Sequence, residues 1–142
     1  MTDGAPLIPG AGRFGLGIGA RSENLRRVRR ALEGLPIPPD LIEDAKLLTT
    51  ELATNCIRHA RLRPDDDIRV TADWTSERLR VSVRDRGSGI EGSRVAGAIR
   101  PSPGARSGWG LYFVDRLSTR WGASLDGGTE FWFELDLAPR ER

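Results

Sequence analysis

The chain is poor in the residues that build covalent staples and metal cages. Its 142 residues include one cysteine, Cys56, and one histidine, His59. A single cysteine excludes an internal disulfide framework and a thiolate zinc site, and a single histidine excludes a multi-histidine metal site. No run approaches the ~18 apolar residues of a membrane span. No basic stretch followed by an apolar core opens the sequence, so a secretory signal is not expected. These absences predict a soluble, cytoplasmic protein with no membrane partner. Lysine is nearly missing too: of 22 basic residues only Lys46 is a lysine, leaving 22 − 1 = 21 arginines. Arginine keeps its charge at any accessible pH, so the pI is high, near 9.3, while the net charge is only +2. Asp and Glu interleave with the arginines along most of the chain. The concentrated basic stripe of a nucleic-acid binder is not seen, and direct nucleic-acid binding is not expected.

What is present suffices for one folded domain. The 38% hydrophobic fraction together with 17 glycines makes roughly half the chain apolar, the average for globular proteins, and the length suits a single unit. Residues 1–12 are Gly/Pro-rich and read as a loose lead-in, residues 13–138 as the domain, and 139–142 as a tail. Phe14, Leu16 and Ile18 alternate as in a short strand. Ser22 is placed to cap a helix in which Leu25, Val28, Leu32 and Leu35 share one face and Arg26, Arg27, Arg29 and Arg30 occupy the others. Gly34 and Pro36 end it. Asp40 and Glu43 have capping-box spacing at the start of a longer helix reaching about Ala60. Two strand-like runs, residues 68–74 and 79–83, flank a polar turn and predict an antiparallel hairpin. Residues 85–108 turn to Gly, Ser, Pro and Arg, a stretch of a length that is usually functional or mobile. A third helix carrying Leu111, Val114 and Leu117 is expected to run to about Gly122. Strand material around Ser124, a Gly127-Gly128 turn and a closing strand over residues 131–137 follow. Helices beside such a sheet predict an α+β, two-layer sandwich.

The chemistry-bearing residues fall in four segments. On a helical wheel, Leu41, Ala45, Leu48 and Leu52 lie within an arc of about 60° to 120° from Glu51, with Asn55 at about 40° and His59 at about 80°. Three polar side chains thus share the core-facing side. An unpartnered buried carboxylate costs several kcal/mol. Either these groups form an internal hydrogen-bond network or meet solvent at the helix edge, or they line a cavity. Asp85-Arg86-Gly87-Ser88-Gly89 follows the second hairpin strand. There an Asp could accept from an exocyclic amino group, with Gly87 and Gly89 letting backbone run against a flat ligand; the same pattern also describes ordinary surface turns. Arg106-Ser107-Gly108-Trp109-Gly110 sits at a helix start, where free N–H groups and the helix dipole favour phosphate and Arg106 could add a charge-assisted contact. Its spacing fits neither the Rossmann nor the Walker A fingerprint. Gly128-Thr129 precedes the last strand.

The order of these segments resembles the GHKL (Bergerat-fold) ATP-binding domain over nearly the whole chain. Glu51-Leu-Ala-Thr-Asn55-Cys-Ile-Arg-His59-Ala60 and the R-S-G-x-G-L run are similar to those of anti-sigma factor serine/threonine kinases and their standalone actinobacterial relatives. The resemblance implies a Bergerat fold with a mixed, mostly antiparallel sheet and three helices on one face. It implies ATP and Mg²⁺ as cofactors: Asn55 as the Mg²⁺ ligand, Asp85 as the adenine acceptor, and Gly87, Gly89 and Thr129 around the base. Gly108 and Gly110 would offer backbone N–H groups to the phosphates, with Arg106 beside the γ-phosphate and Glu51 as general base. Cys56 departs from the alanine usual in the family, with little consequence expected. Arg86 and Trp109 are further departures that remove no required group. The implied partners are a sigma factor and a STAS-domain antagonist phosphorylated on Ser or Thr, and homodimers are common in that family. A nucleotide-gated binding module with little or no turnover would keep the same pocket.

Overall fold

The computed structural model describes residues 11–59, 67–85, 109–124 and 129–137. In chain order these form β1 (Gly12–Gly19), a 3-10 turn (Ser22–Asn24), α1 (Leu25–Glu33), α2 (Pro39–His59), β2 (Asp67–Trp74), β3 (Arg78–Asp85), α3 (Trp109–Leu117), β4 (Arg120–Ser124) and β5 (Thr129–Asp136). The strands make one sheet in the order β1-β2-β3-β5-β4. The sheet expected to be mixed and mostly antiparallel is antiparallel at all four pairings.

Register carries the period-2 pattern across the sheet in rows. Leu16, Val70, Val83 and Phe131 stand side by side, as do Phe14, Ala72, Val81, Phe133 and Trp121. These rows pack against Leu25, Val28 and Leu32 of α1, Ala45, Leu48, Leu52 and Ala53 of α2, and Val114 of α3 in one hydrophobic core. The expected two-layer α+β sandwich is therefore the observed architecture. The opposite face alternates charge: Arg13 pairs with Asp73 at 3.1 Å, Arg80 and Arg120 converge on Glu134 at 3.1 and 2.8 Å, and Arg84 lies 3.8 Å from Glu130. Arg80 also stacks on the Trp132 ring, 4.1 Å from its centroid.

Local chemistry sets the element ends, and three differ from expectation. Ser22 does not cap α1. It opens the 3-10 turn, no side chain caps either start, and Asn24 instead donates to the Gly19 carbonyl at 3.0 Å, tying the turn to β1. The Asp40/Glu43 capping box is replaced by a proline start: Pro39 takes the first helical position, which needs no N–H, and the Pro38 carbonyl accepts from Leu41 and Ile42. Asp40 lies inside the first turn, where the dipole favours an anion. The third helix stops at Leu117 instead of near Gly122, and Leu117 is exposed. The Ser118 hydroxyl bonds back to the Val114 carbonyl, and the Thr119 N–H donates across to Glu134 at 2.7 Å. Gly122 then belongs to β4, because the Trp132 indole lies over it: a Cβ there would come within 2.6 Å of the ring. Lys46 joins the two long helices by bonding Glu33 of α1 at 3.0 Å and Glu43 at 3.1 Å.

Candidate functional site

The hydrophobic face of β3 runs Leu79, Val81, Val83 and then Asp85, by strict alternation. The row that holds Asp85 continues as Ile18, Ile68 and, across from it on β5, Thr129. A carboxylate therefore stands where the pattern calls for a fourth apolar residue, and it is only 1% exposed. Burying a carboxylate costs several kcal/mol unless hydrogen bonds offset it. From α2, the wholly buried Cys56 thiol lies beside Asp85. Burial first, and the neighbouring Asp85 carboxylate second, push the Cys56 thiol well above its ordinary range, so it remains a protonated donor.

This contact brings two of the four segments together. Cys56 follows Asn55 directly, and Asn55 is one turn beyond Glu51, so the two polar side chains share a helix face with Cβ atoms about 5–6 Å apart. Both are half-buried. Neither side chain makes a hydrogen bond or ion pair with another described residue. Thr49 and Thr50, on the same stretch of α2, also have hydroxyl oxygens that are buried and unpartnered among the described residues.

The remaining candidates divide by position. Thr129 is the cross-strand partner of Asp85, so the last strand delivers it to the same sheet end. Gly110 lies in the first turn of α3, which packs against α2. His59 is the last residue of α2. Gly87, Gly89, Arg106, Gly108 and Gly128, with Arg86, lie outside the described residues. Among the described residues no cluster of three or more His, Cys, Asp or Glu could hold a metal ion alone, and no helix is long and apolar enough to cross a membrane.

The family model of the histidine kinase-like ATPase domain matches residues 18–133, most of the chain. The chain belongs to the histidine kinase-like ATPase family. Among solved structures, the RsbU and RsbW domains of Rv1364c from Mycobacterium tuberculosis match at 19% identity with a TM-score of 0.67, covering 92% of this chain and 34% of that one. At that identity the likeness speaks for the fold, and this chain spans about a third of its neighbour's length. No curated protein gives a significant match. Membership of the histidine kinase-like ATPase family implies ATP binding and agrees with the kinase-like GHKL resemblance read from the sequence.

The sequence reading expects Cys56 to matter little, and the structure buries it beside Asp85. The signal was available: at about 140° on the same wheel, Cys56 lies within reach of the core-facing arc and not on the solvent side.

Proposed function

We propose that this protein is an ATP-dependent anti-sigma regulatory factor that binds a sigma factor and phosphorylates a serine or threonine on a STAS-domain antagonist in the cytoplasm. The observation that carries this reading is the packing of the Glu51/Asn55 helix against β3, whose last residue is the buried Asp85. The packing of these two distant segments, which carry the residue types of an ATP cleft, supports that reading.

In this reading Asp85 accepts the hydrogen bond of the adenine amino group, and Gly87, Gly89 and Thr129 complete the base pocket. Gly108 and Gly110 offer backbone N–H groups to the phosphates, and Arg106 adds a charge-assisted contact. The donors suit Mg²⁺, a hard cation that takes oxygen ligands and shares them with phosphates: Asn55 offers an amide oxygen, and no protein cage competes among the described residues. Mg²⁺ held there would neutralise charge developing on the transferred group. Glu51 takes the proton of the acceptor hydroxyl as its oxygen bonds to the γ-phosphorus. The bond from that phosphorus to the bridging oxygen breaks, and ADP leaves with the electron pair. The exposed arginines of α1 dock the acidic surface of the partner.

The test is transfer of γ-phosphate label to a candidate STAS antagonist. The expected result is labelled antagonist with wild-type protein and none with Glu51→Ala, which still binds ATP. Tight ATP binding without transfer by the wild type would favour the gated binding module instead, and absence of ATP binding would refute both.

A further inference from the structure

The outer face of the sheet alternates acids and arginines, with one place left open. One row across the strands, Arg13, Asp73, Arg80, Glu134 and Arg120, changes sign at every step. A second row on the same face, Gly17, Arg69, Arg84, Glu130 and Ser124, does not. There two arginines stand directly opposite each other on β2 and β3, which destabilises a sheet. Arg84 has Glu130 at 3.8 Å. Arg13, Arg78, Arg80 and Arg120 likewise each have a carboxylate within 3.8 Å. Arg69 is exposed and makes no ion pair or hydrogen bond with a described residue; Asp67, two places earlier on the same face of β2, pairs with neither arginine. Alternation would call for an acid opposite Arg69 on β1, and that position is Gly17. A Cβ at Gly17 would meet nothing within 4 Å, so the place is open as well as uncharged. At Gly15, next on the same face, a Cβ would come within 2.7 Å of the Arg69 Nη2. The guanidinium therefore lies against the backbone of β1, where glycine makes room for it.

We propose that the open place opposite Arg69 is a docking point for an acidic protein segment, one carboxylate of which pairs with Arg69 and Arg84 and completes the alternation. A guanidinium presents its donors as a planar fork that matches a carboxylate, and a carboxylate set between two opposed arginines turns their repulsion into attraction. Every other acid of these two rows is an Asp or Glu side chain, so the missing charge is of the same kind. The Thr71 and Ser82 hydroxyls, a cross-strand pair beside the two arginines, add donors on the same face. This surface lies on the side of the sheet away from α2 and Asp85, and the inference goes beyond the nucleotide reading without resting on it.

The probe is an acetylated tetraglutamate amide, titrated into the protein and followed through the backbone amide resonances of Gly15, Gly17 and Thr71, against sodium chloride at equal ionic strength. Saturable shifts at these amides are expected from the peptide and not from the salt. Arg69→Gln should weaken the Kd about two- to fivefold, the worth of one exposed ion pair. Gly17→Glu puts a carboxylate of the chain itself into the open place, and should abolish the shifts at Gly15 and Thr71 while leaving ATP affinity unchanged. The arginines of α1 also attract this peptide, and the α1 resonances report that binding separately. Thermal melting establishes that each variant is folded, and either variant alone suffices. Shifts no larger than those given by the salt overturn the proposal, as do variants that titrate like the wild type. Inorganic phosphate that moves the same amides at lower concentration than the peptide marks a phosphate site and overturns the choice of a carboxylate.

Discussion

Replacing Asp85 with asparagine isolates the charge of the buried acceptor from its shape. The amide has nearly the volume of the carboxylate, so the row with Ile18 and Ile68 gains no cavity. Two quantities should move in opposite directions. The apo fold no longer holds a carboxylate at 1% exposure, so its melting temperature should stay level or rise by a few degrees. ATP binding loses a charge-assisted hydrogen bond, which is worth about 1.5–3 kcal/mol and corresponds to a roughly 10- to 150-fold weaker Kd. The amide also presents an N–H₂ donor that suits a 6-oxo purine, so the preference for ATP over GTP should narrow. Calorimetric titration with ATP and GTP, alongside thermal melts of the apo protein, measures both. A folded Asp85→Asn variant that keeps the wild-type Kd and nucleotide preference would refute the placement of the base at this carboxylate.

Asn55→Ala should remove the Mg²⁺-dependent part of ATP affinity while leaving the melting temperature within about 2 °C; titrations with and without a chelator separate the two. Glu134 yields a pH prediction. Burial alone would raise its carboxyl, but hydrogen bonds from Arg120 and Arg80 and the charge of Arg78 overturn this and hold it below the ordinary value of 4.5. A depressed carboxyl contributes stability that is present above the unfolded value and lost as pH falls through the folded one. Thermal melts should therefore drop below about pH 4.5, and more shallowly in Glu134→Gln. Reversing Arg26 and Arg30 to glutamate should slow association with the acidic partner several-fold at low salt, with the difference closing as salt screens it; equal association rates at low salt would remove α1 from the docking surface.

The strands were readable because each buries one face, so the alternation in Ile68–Ala72, Leu79–Val83 and Phe131–Leu135 is a direct imprint of the sheet. Helix α2 was readable for the same reason, through its stripe of Ala45, Leu48 and Leu52. Where elements end was less so, because the deciding partners are distant in sequence. Gly122 looks like a helix terminator until Trp132 is seen lying over it, and Ser22 looks like a cap until Asn24 turns back to Gly19. The Glu51/Asn55 pairing follows from helical spacing alone. Its neighbour's contact with Asp85 does not, since a wheel gives direction around the axis but not the height at which α2 crosses β3. The glycine-rich segment of residues 86–108 lies outside the described residues, so its part in the site rests on sequence pattern alone.

The outer face of the sheet has a further consequence for how the molecule meets others. Arg13, Arg78, Arg80, Arg84 and Arg120 there are met by acids, whereas Arg26, Arg27, Arg29 and Arg30 on α1 are exposed and ion-paired with no described residue. Among the described residues, α1 therefore concentrates four unneutralised positive charges on one short helix. An approaching anionic body would feel a torque before any contact forms, turning the two so that α1 leads the collision.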